Sequence, residues 1–489
     1  MSKIGIIGAG IAGCTTAIEL ANKGHEVTLF ERTDNLLRQS SDATSHCFSV
    51  GFYHSDIAVA KVSLDACIRL LRHLKEQMDV PFQERERVNG IDRIAYVIST
   101  QSVISPENVI SHFEALKSHY ATLVRQDVRN RVLGPVDAFY NIADKQHFAT
   151  LLDVDNIALI IETCDGLFDW HALKNHVIAK LHSHANITIQ FHANVTAIQY
   201  PVVEEDSLKT SMLMDDGQCY VFDYIVNAAW RNAERLNQTA GFYSVESLSN
   251  KISALAIVQL PKELHNRSFF FGYNNLIFLT SGEDGIGYLT YSPVSFNIEF
   301  PGYTAQREED KVMLSMEEPT NKIIIGDNII AGATRYIPAL SQCVLRDLKV
   351  GVIRASDSTM LQANEGLNLL RQYKGVRPIA LGLITNEARQ HTFWNDNAQE
   401  VSRLIDKQIQ IKTMVMMFVR LVVEGLPQQV QNKQLLFILL SHFSVLLVDD
   451  EKTQLNCNIQ SELARYSIFC ANKFEINAQI ERRNLCFQS

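Results

Sequence analysis

The sequence predicts an α/β chain that opens on a parallel βαβ unit and adds a second, antiparallel-sheet domain and a helical C-terminal extension. Three observations carry that expectation. Lys3–Ile7 is an apolar run of strand length leading into Gly8-Ala-Gly10-Ile-Ala-Gly13 and a helical pattern, and a second apolar run, Glu26–Phe30, closes the unit. Residues 250–300 alternate apolar and polar positions over short runs separated by glycine turns, the pattern of an antiparallel sheet. From about residue 395 onward the pattern is helical throughout.

Each residue type in the first unit has a physical role. Gly8 permits a tight turn out of the strand, and Gly10 lets backbone N–H groups approach a pyrophosphate. Gly13 lets the helix pack close to the sheet, and the helix N-terminus offers partial positive charge to phosphates. Cys14, Ala17, Ile18 and Ala21 share one helical face, and Asn22-Lys-Gly24 is a helix stop. Glu31 follows the second strand; its carboxylate can accept hydrogen bonds from ribose hydroxyls and opposes a 2′-phosphate, which disfavours NADP. Gly8, Ala9, Gly10, Ile11, Ala12, Gly13 and Glu31 are therefore candidate cofactor-binding residues for an ADP-containing dinucleotide.

At 489 residues the chain exceeds one ordinary core, so two or three units are expected. A net charge of -9 without any Lys/Arg block argues against nucleic acid as a partner. The nine cysteines are scattered and show no metal-ligand spacing, so they read as reduced thiols of a cytoplasmic protein with no metal site. A strand beginning at residue 3 leaves no room for a signal peptide. Met414–Val423 and Leu435–Val448 are strongly apolar but too short to cross a bilayer, which needs about twenty residues. They read as buried helices, with peripheral membrane contact as the alternative and self-association through the extension left open.

In chain order, residues 33–56 form a hydroxyl-rich loop suited to lining something polar, and Asp56–Met78 reads as an amphipathic helix. Residues 92–100 read as a strand, Ser105-Pro106-Glu107 as a helix start, and Asp169 as the N-cap of a helix ending near His184. Strands follow at 187–191 and 195–198, then a hairpin around Asp215-Asp-Gly217 and one strand over 221–229. Leu361–Tyr373 reads as a helix.

Four separated pieces carry a resemblance to the D-amino-acid-oxidase-like superfamily of FAD-dependent oxidoreductases, over roughly residues 1–395. Its nearest branches in pattern are L-2-hydroxyglutarate dehydrogenase, glycerol-3-phosphate dehydrogenase and glycine oxidase. The pieces are Ile4–Arg32 with its Glu31-Arg32, Ala43–Lys61 with Gly51-Phe-Tyr53-His54, Gly166 through Val195 to Asn227-Ala-Ala229, and Gly375-Val-Arg377-Pro378. The resemblance implies a Rossmann-like FAD-binding domain. Arg32, Thr44, Ser45, Val195 and Ala228 would join the glycine loop and Glu31 around the cofactor. Arg377 would bind the anion of a small substrate; a guanidinium fork matches a carboxylate bidentately, and a structural salt bridge is the alternative. Tyr53 and His54 would orient substrate or move a proton, the alternative being packing. The implied division is 1–90, 150–240 and 350–400 for FAD, 91–149 and 241–349 for substrate, and 401–489 for the extension.

The chain also departs from that pattern. His46 and Ser49 stand where the hydroxyglutarate branch has a glycine and a histidine, so His46 or His54 would have to accept the proton. Trp230 stands where a glycine usually follows Asn-Ala-Ala, and no glycine-rich turn follows Pro378. The expected activity is hydride transfer from a small anionic substrate, an amino acid or 2-hydroxy acid, to FAD. A flavoprotein fold retained as a binding or scaffolding protein is one alternative, and an NAD-dependent dehydrogenase is another.

Overall fold

Strand β1 (Lys3–Ile7) runs through the middle of a six-stranded sheet in the computed structural model, which describes residues 1–77, 94–204, 207–244, 248–272, 277–301, 306–356 and 375–424. Across that sheet the order is Val376–Ala380, Leu383–Asn386, Tyr224–Asn227, β1, β2 (Glu26–Phe30) and Ile187–Gln190. All neighbours are parallel except the hairpin at 376–386. Side chains alternate across the pleat. Ile4 and Ile6 face helix α1 (Ile11–Asn22), while Ile7 and Ile225 face a three-stranded sheet built from Val195–Glu204, Ser207–Met214 and Cys219–Phe222. Gly5 is forced by that contact: a Cβ there would come 2.6 Å from Met212 Cε.

The strand expected over 221–229 is instead two, broken at Asp223. Its carboxylate accepts from Lys3 N (2.8 Å) and its N–H donates to Lys3 O (3.0 Å), so the chain pivots there from one sheet into the other. Local signals placed the helices well. Asp56 Oδ1 accepts from Ala58 N and Val59 N at the start of α2 (Ile57–Gln77). Ser105 caps Pro106–Gln126, and Asp169 caps Trp170–Ser183 through Ala172 N.

A nine-stranded, mostly antiparallel sheet holds the rest, including all the strands between Leu248 and Pro301. It also takes in Ile157–Thr163 and the long Val344–Ser356. Residues 39–43 press against Val344–Ser356: Ser40 Oγ bonds both Val352 N and Val352 O. Asp42 fastens the same loop by accepting from Lys349 Nζ, Lys174 Nζ and Trp170 Nε1. Burial alone would raise its carboxyl, but Lys349, Trp170 and Lys174 outweigh that and hold it well below the usual carboxylate range.

The helical extension begins as helix Trp394–Glu424, packed on α1 through buried Val401, Leu404 and Ile405. Gln408 accepts from Gly382 N, and Lys412 Nζ donates to Asp223 O over the ring of Tyr224. The expected helix at Leu361–Tyr373 and the apolar run at Leu435–Val448 lie outside the described residues. Among the described residues no helix is long and apolar enough to cross a membrane.

Candidate functional site

A cavity of about 450 Å³ opens between the carboxyl ends of the parallel strands and the nine-stranded sheet, the place where open α/β sheets take ligands. One end is built by the glycine loop. Gly8 has φ +94°, and a Cβ there would meet Ala228 O at 2.7 Å; at Gly13 a Cβ would lie 1.9 Å from Gly8 O. These positions therefore need glycine for close approach. The first i→i−4 bond of α1 is Cys14 N to Gly10 O, so earlier N–H groups need other acceptors, and Ile11 N finds Ser41 Oγ at 3.0 Å. Glu31 braces the loop: one oxygen accepts from Ala9 N (3.0 Å), the other from Thr33 N and Oγ1. A glycine loop packed this closely on its own backbone at Gly8 and Gly13, with Gly10 lining the cavity beside a fixed carboxylate, fits the ADP half of a dinucleotide.

Gly8, Ala9, Gly10, Ile11, Ala12, Glu31, Arg32, Thr44, Ser45, Val195 and Ala228 all line the cavity, whereas Gly13 packs behind it. Arg32 does so as half of an ion pair, its fork bonded to Asp310 at 2.9 and 3.2 Å. Arg231 joins it, bonding Glu309 (2.9 Å) and Asp310 from helix Gln306–Glu317. Sequence reasoning missed Arg231, Glu309 and Asp310, because nothing local marks an acid pair some eighty residues from its arginine.

Tyr53 lines the other end, with Phe270 and Phe278 edge-on at 5.0 and 5.6 Å between ring centroids. Its hydroxyl sits 2.8 Å from Cys47 Sγ, and burial followed by the nearby Asp165 charge pushes the phenol well above its ordinary range, so it stays a hydrogen-bond donor. Thr290, Leu255 and Ile353 complete this wall.

Three expected catalytic residues do not line the cavity. His46 has φ +57° and stacks on Tyr288 at 3.9 Å. Burial, then the neighbouring His171 and His391, lowers it to about 3, so it is neutral at physiological pH. His54 is wholly buried, its Nε2 2.9 Å from Ser63 Oγ and 3.3 Å from Gln390 Nε2, and Gln390 in turn lines the cavity. Arg377 pairs with Glu234 and stands 3.7 Å from Glu387, which is the salt-bridge arrangement rather than an open anion clamp.

The segment after Pro378 does reach the cavity, but with side chains in place of glycines. Asn386–Thr392 form its wall, a single turn at His391–Phe393 follows, and helix Trp394–Glu424 begins there. Glu387 is fully buried among Arg354, Arg377 and Arg389. Burial alone would raise its carboxyl; the three guanidiniums outweigh that and hold it below the ordinary value. His391, also in the wall, is lowered to about 4 chiefly by burial, and its Nδ1 has no hydrogen-bond partner among the described residues. The only sequence signal for this wall was the charged run Glu387-Ala-Arg-Gln-His391 directly after a buried strand. Trp230, also lining the cavity, has φ +51°, the left-handed region that explains why glycine suits the position; its indole N–H reaches Val352 O at 2.8 Å.

A family model described as FAD dependent oxidoreductase (DAO) matches residues 3–245. A curated relative, 4,4'-diapophytoene desaturase (4,4'-diaponeurosporene-forming) of Staphylococcus aureus, is 25% identical over 190 residues, covering 37% of this chain and 36% of the relative. The match thus spans about a third of that relative's length. Glycine oxidase from Geobacillus kaustophilus is 16% identical with a TM-score of 0.55, covering 83% of this chain and 95% of its own. L-proline dehydrogenase from P. horikoshii is 16% identical with a TM-score of 0.54, over 83% and 93% of the two chains. L-alpha-glycerophosphate oxidase from Mycoplasma pneumoniae, solved with FAD bound, is 15% identical with a TM-score of 0.54, over 83% and 94%. These structural likenesses show a shared fold.

Proposed function

Since the chain belongs to the DAO family of FAD-dependent oxidoreductases, we propose that its cavity oxidises a small substrate bearing a carboxylate, an amino acid or a 2-hydroxy acid. The observation that carries this reading is the continuity of one cavity from the glycine loop and Glu31 to an aromatic end walled by Tyr53, Phe270 and Phe278, with Glu387 and Arg389 beside it. FAD, when bound, supplies the hydride acceptor. Gly8 and Gly10 border the path of its phosphates, Gly13 lets the helix pack close behind them, and Glu31 offers carboxylate oxygens to its ribose. Thr44, Ser45, Val195 and Ala228 border the same path. Tyr53 keeps its proton and donates toward the substrate, its hydroxyl aimed by Cys47. His391, neutral and with Nδ1 unpartnered, accepts the proton that leaves the substrate's amine or hydroxyl. The apolar rings exclude water around the reacting C–H bond. The names of the glycine oxidase and L-proline dehydrogenase that share this fold support an amino acid.

A binding or scaffolding protein with little turnover is the second reading, favoured by the side chains of Glu387, Arg389 and Gln390 in a wall where the family pattern has glycines. A visible absorption spectrum of the purified protein, followed by anaerobic addition of amino and hydroxy acids, separates the two. Yellow protein bleached by one of the acids supports the enzyme. Yellow protein indifferent to all of them, or a colourless protein that FAD cannot reconstitute, contradicts the enzyme and supports the second reading.

A further inference from the structure

We propose that one row of side chains on the nine-stranded sheet forms the subsite for the part of the substrate remote from its carboxylate, and that this part is apolar. The cavity then selects monocarboxylates with a hydrocarbon side chain over dicarboxylates. The inference rests on the reading that the cavity takes a small carboxylate, and it names the class of that substrate. Strand register sets the row. Tyr96 lies opposite Phe270, Phe270 opposite Phe278, and Phe278 opposite Thr290. The pairing of Ala256 with Leu289 puts Leu255 opposite Thr290 one step further on. Directly opposed residues share a face of a ladder, so these five side chains stand on one side of the sheet. Their neighbours Phe269, Leu279, Leu289 and Ala256 point the other way, into the core that includes Ile329 and Ala333 of helix Pro319–Thr334.

An antiparallel sheet with one face on a core commonly presents polar side chains on the other. Here the second face is apolar as well, and Phe270, Phe278, Thr290 and Leu255 line the cavity with it. Tyr53 closes over the row, its ring 5.0 Å from Phe270 and 5.6 Å from Phe278, and those two rings are 5.6 Å apart, each pair edge-on. Phe270 and Phe278 are only half-buried, whereas Phe269 and Leu279 beside them are fully buried, so apolar surface is left on the cavity side. Charge enters the cavity elsewhere. Among the described residues, every one that the nine-stranded sheet gives to the lining is uncharged. Lys349, opposite Leu255 at the end of the row, is bonded to Asp42 at 2.6 Å and stays out of the lining. A second carboxylate laid on this row would lose its water without gaining a counter-ion, while each methylene laid there is removed from water.

The test uses flavin-loaded protein and acids with no amino or hydroxyl group beside the carboxylate, so that binding is read without turnover. Acetate, propionate, butyrate, valerate and hexanoate are titrated while the visible flavin band is followed, with succinate and glutarate as the dicarboxylate probes. The dissociation constant should fall about fourfold per added methylene until the subsite is filled, and succinate should bind about a hundredfold more weakly than butyrate. In Phe278→Ala the gain per methylene should continue to longer chains than in wild type, an effect that a merely structural role for the ring would not produce. Phe278→Leu, a milder change, should shift the preferred length in the same direction and serves if the alanine variant fails to fold. No binding of any of these acids, binding indifferent to chain length, dicarboxylates bound as tightly as monocarboxylates, or a length preference unchanged in both variants each overturns the subsite. The oxidation reading is judged separately, by anaerobic bleaching with amino and 2-hydroxy acids. Length-dependent binding without bleaching by any of them upholds the subsite and fails that reading. Bleaching by acidic and apolar side chains alike upholds that reading and overturns the subsite.

Discussion

Acid should destabilise this fold through His46, and the size of the effect follows from its setting. The imidazole is 8% exposed, stacked on Tyr288 and close to His171, and it is lowered from 6.5 to about 3 by burial first and the other histidines second. The depressed value means that the folded state resists a proton that the unfolded chain accepts. Stability from keeping His46 neutral is therefore complete above pH 6.5 and declines as pH falls toward 3, because the unfolded state binds more protons throughout that window. At pH 5 the unfolded imidazole is about 1.5 units below its titration point while the folded one stays neutral. At about 1.4 kcal/mol per unit, His46 alone costs about 2 kcal/mol between pH 7.5 and pH 5. His391 acts in the same direction. His46→Asn is the informative variant, because asparagine tolerates the φ of +57° at this position. Denaturant unfolding of both proteins at pH 7.5, 6 and 5 measures the difference. The variant should start less stable, having lost the stack on Tyr288, yet lose about 2 kcal/mol less than wild type on going to pH 5. Identical pH slopes for the two proteins would refute the reasoning.

The cofactor cradle yields two further expectations, and the wall opposite yields a third. Gly13→Ala places a methyl 1.9 Å from Gly8 O, so α1 must move; purified variant should carry little flavin, read from its visible absorbance. Glu31→Ala strips the acceptor from Ala9 N and Thr33 N; FAD titration of stripped protein should show a dissociation constant higher by about tenfold to a hundredfold, matching about 1.5–3 kcal/mol for a charged hydrogen-bond partner. Trp230→Gly relieves about 1 kcal/mol or more of left-handed strain but removes the indole bond to Val352 and its packing against the larger sheet. The net result should be a fall in melting temperature, and a rise would show that the strain dominates.

What could be read from the residues alone divides by the range of the interaction. The βαβ unit, its glycine loop and Glu31 are legible because the strand, turn, helix and acid that signal them all lie within the first thirty-one residues. The caps at Ser105 and Asp169 are legible for the same reason, each being a side chain bonded to a backbone N–H three residues on. Arg377 shows the opposite case. Its motif is local, but its partner Glu234 lies 143 residues away, and that partner decides whether the guanidinium waits for a ligand or is already paired. Asp223 behaves likewise, since its bond to Lys3, 220 residues earlier, splits a run that reads as one strand. The aromatic end exists only because Phe270 and Phe278 come across more than two hundred residues to Tyr53. The departures from the family pattern were more informative than its matches. Trp230, conspicuous for not being glycine, has a left-handed backbone and supplies the carbonyl that holds Arg354. The missing glycine turn after Pro378 marks the wall where Glu387, Arg389 and His391 enter the cavity. Both departures converge on the same guanidinium cluster, so the ring end of this cavity is built around fixed charge where the family pattern leaves open backbone.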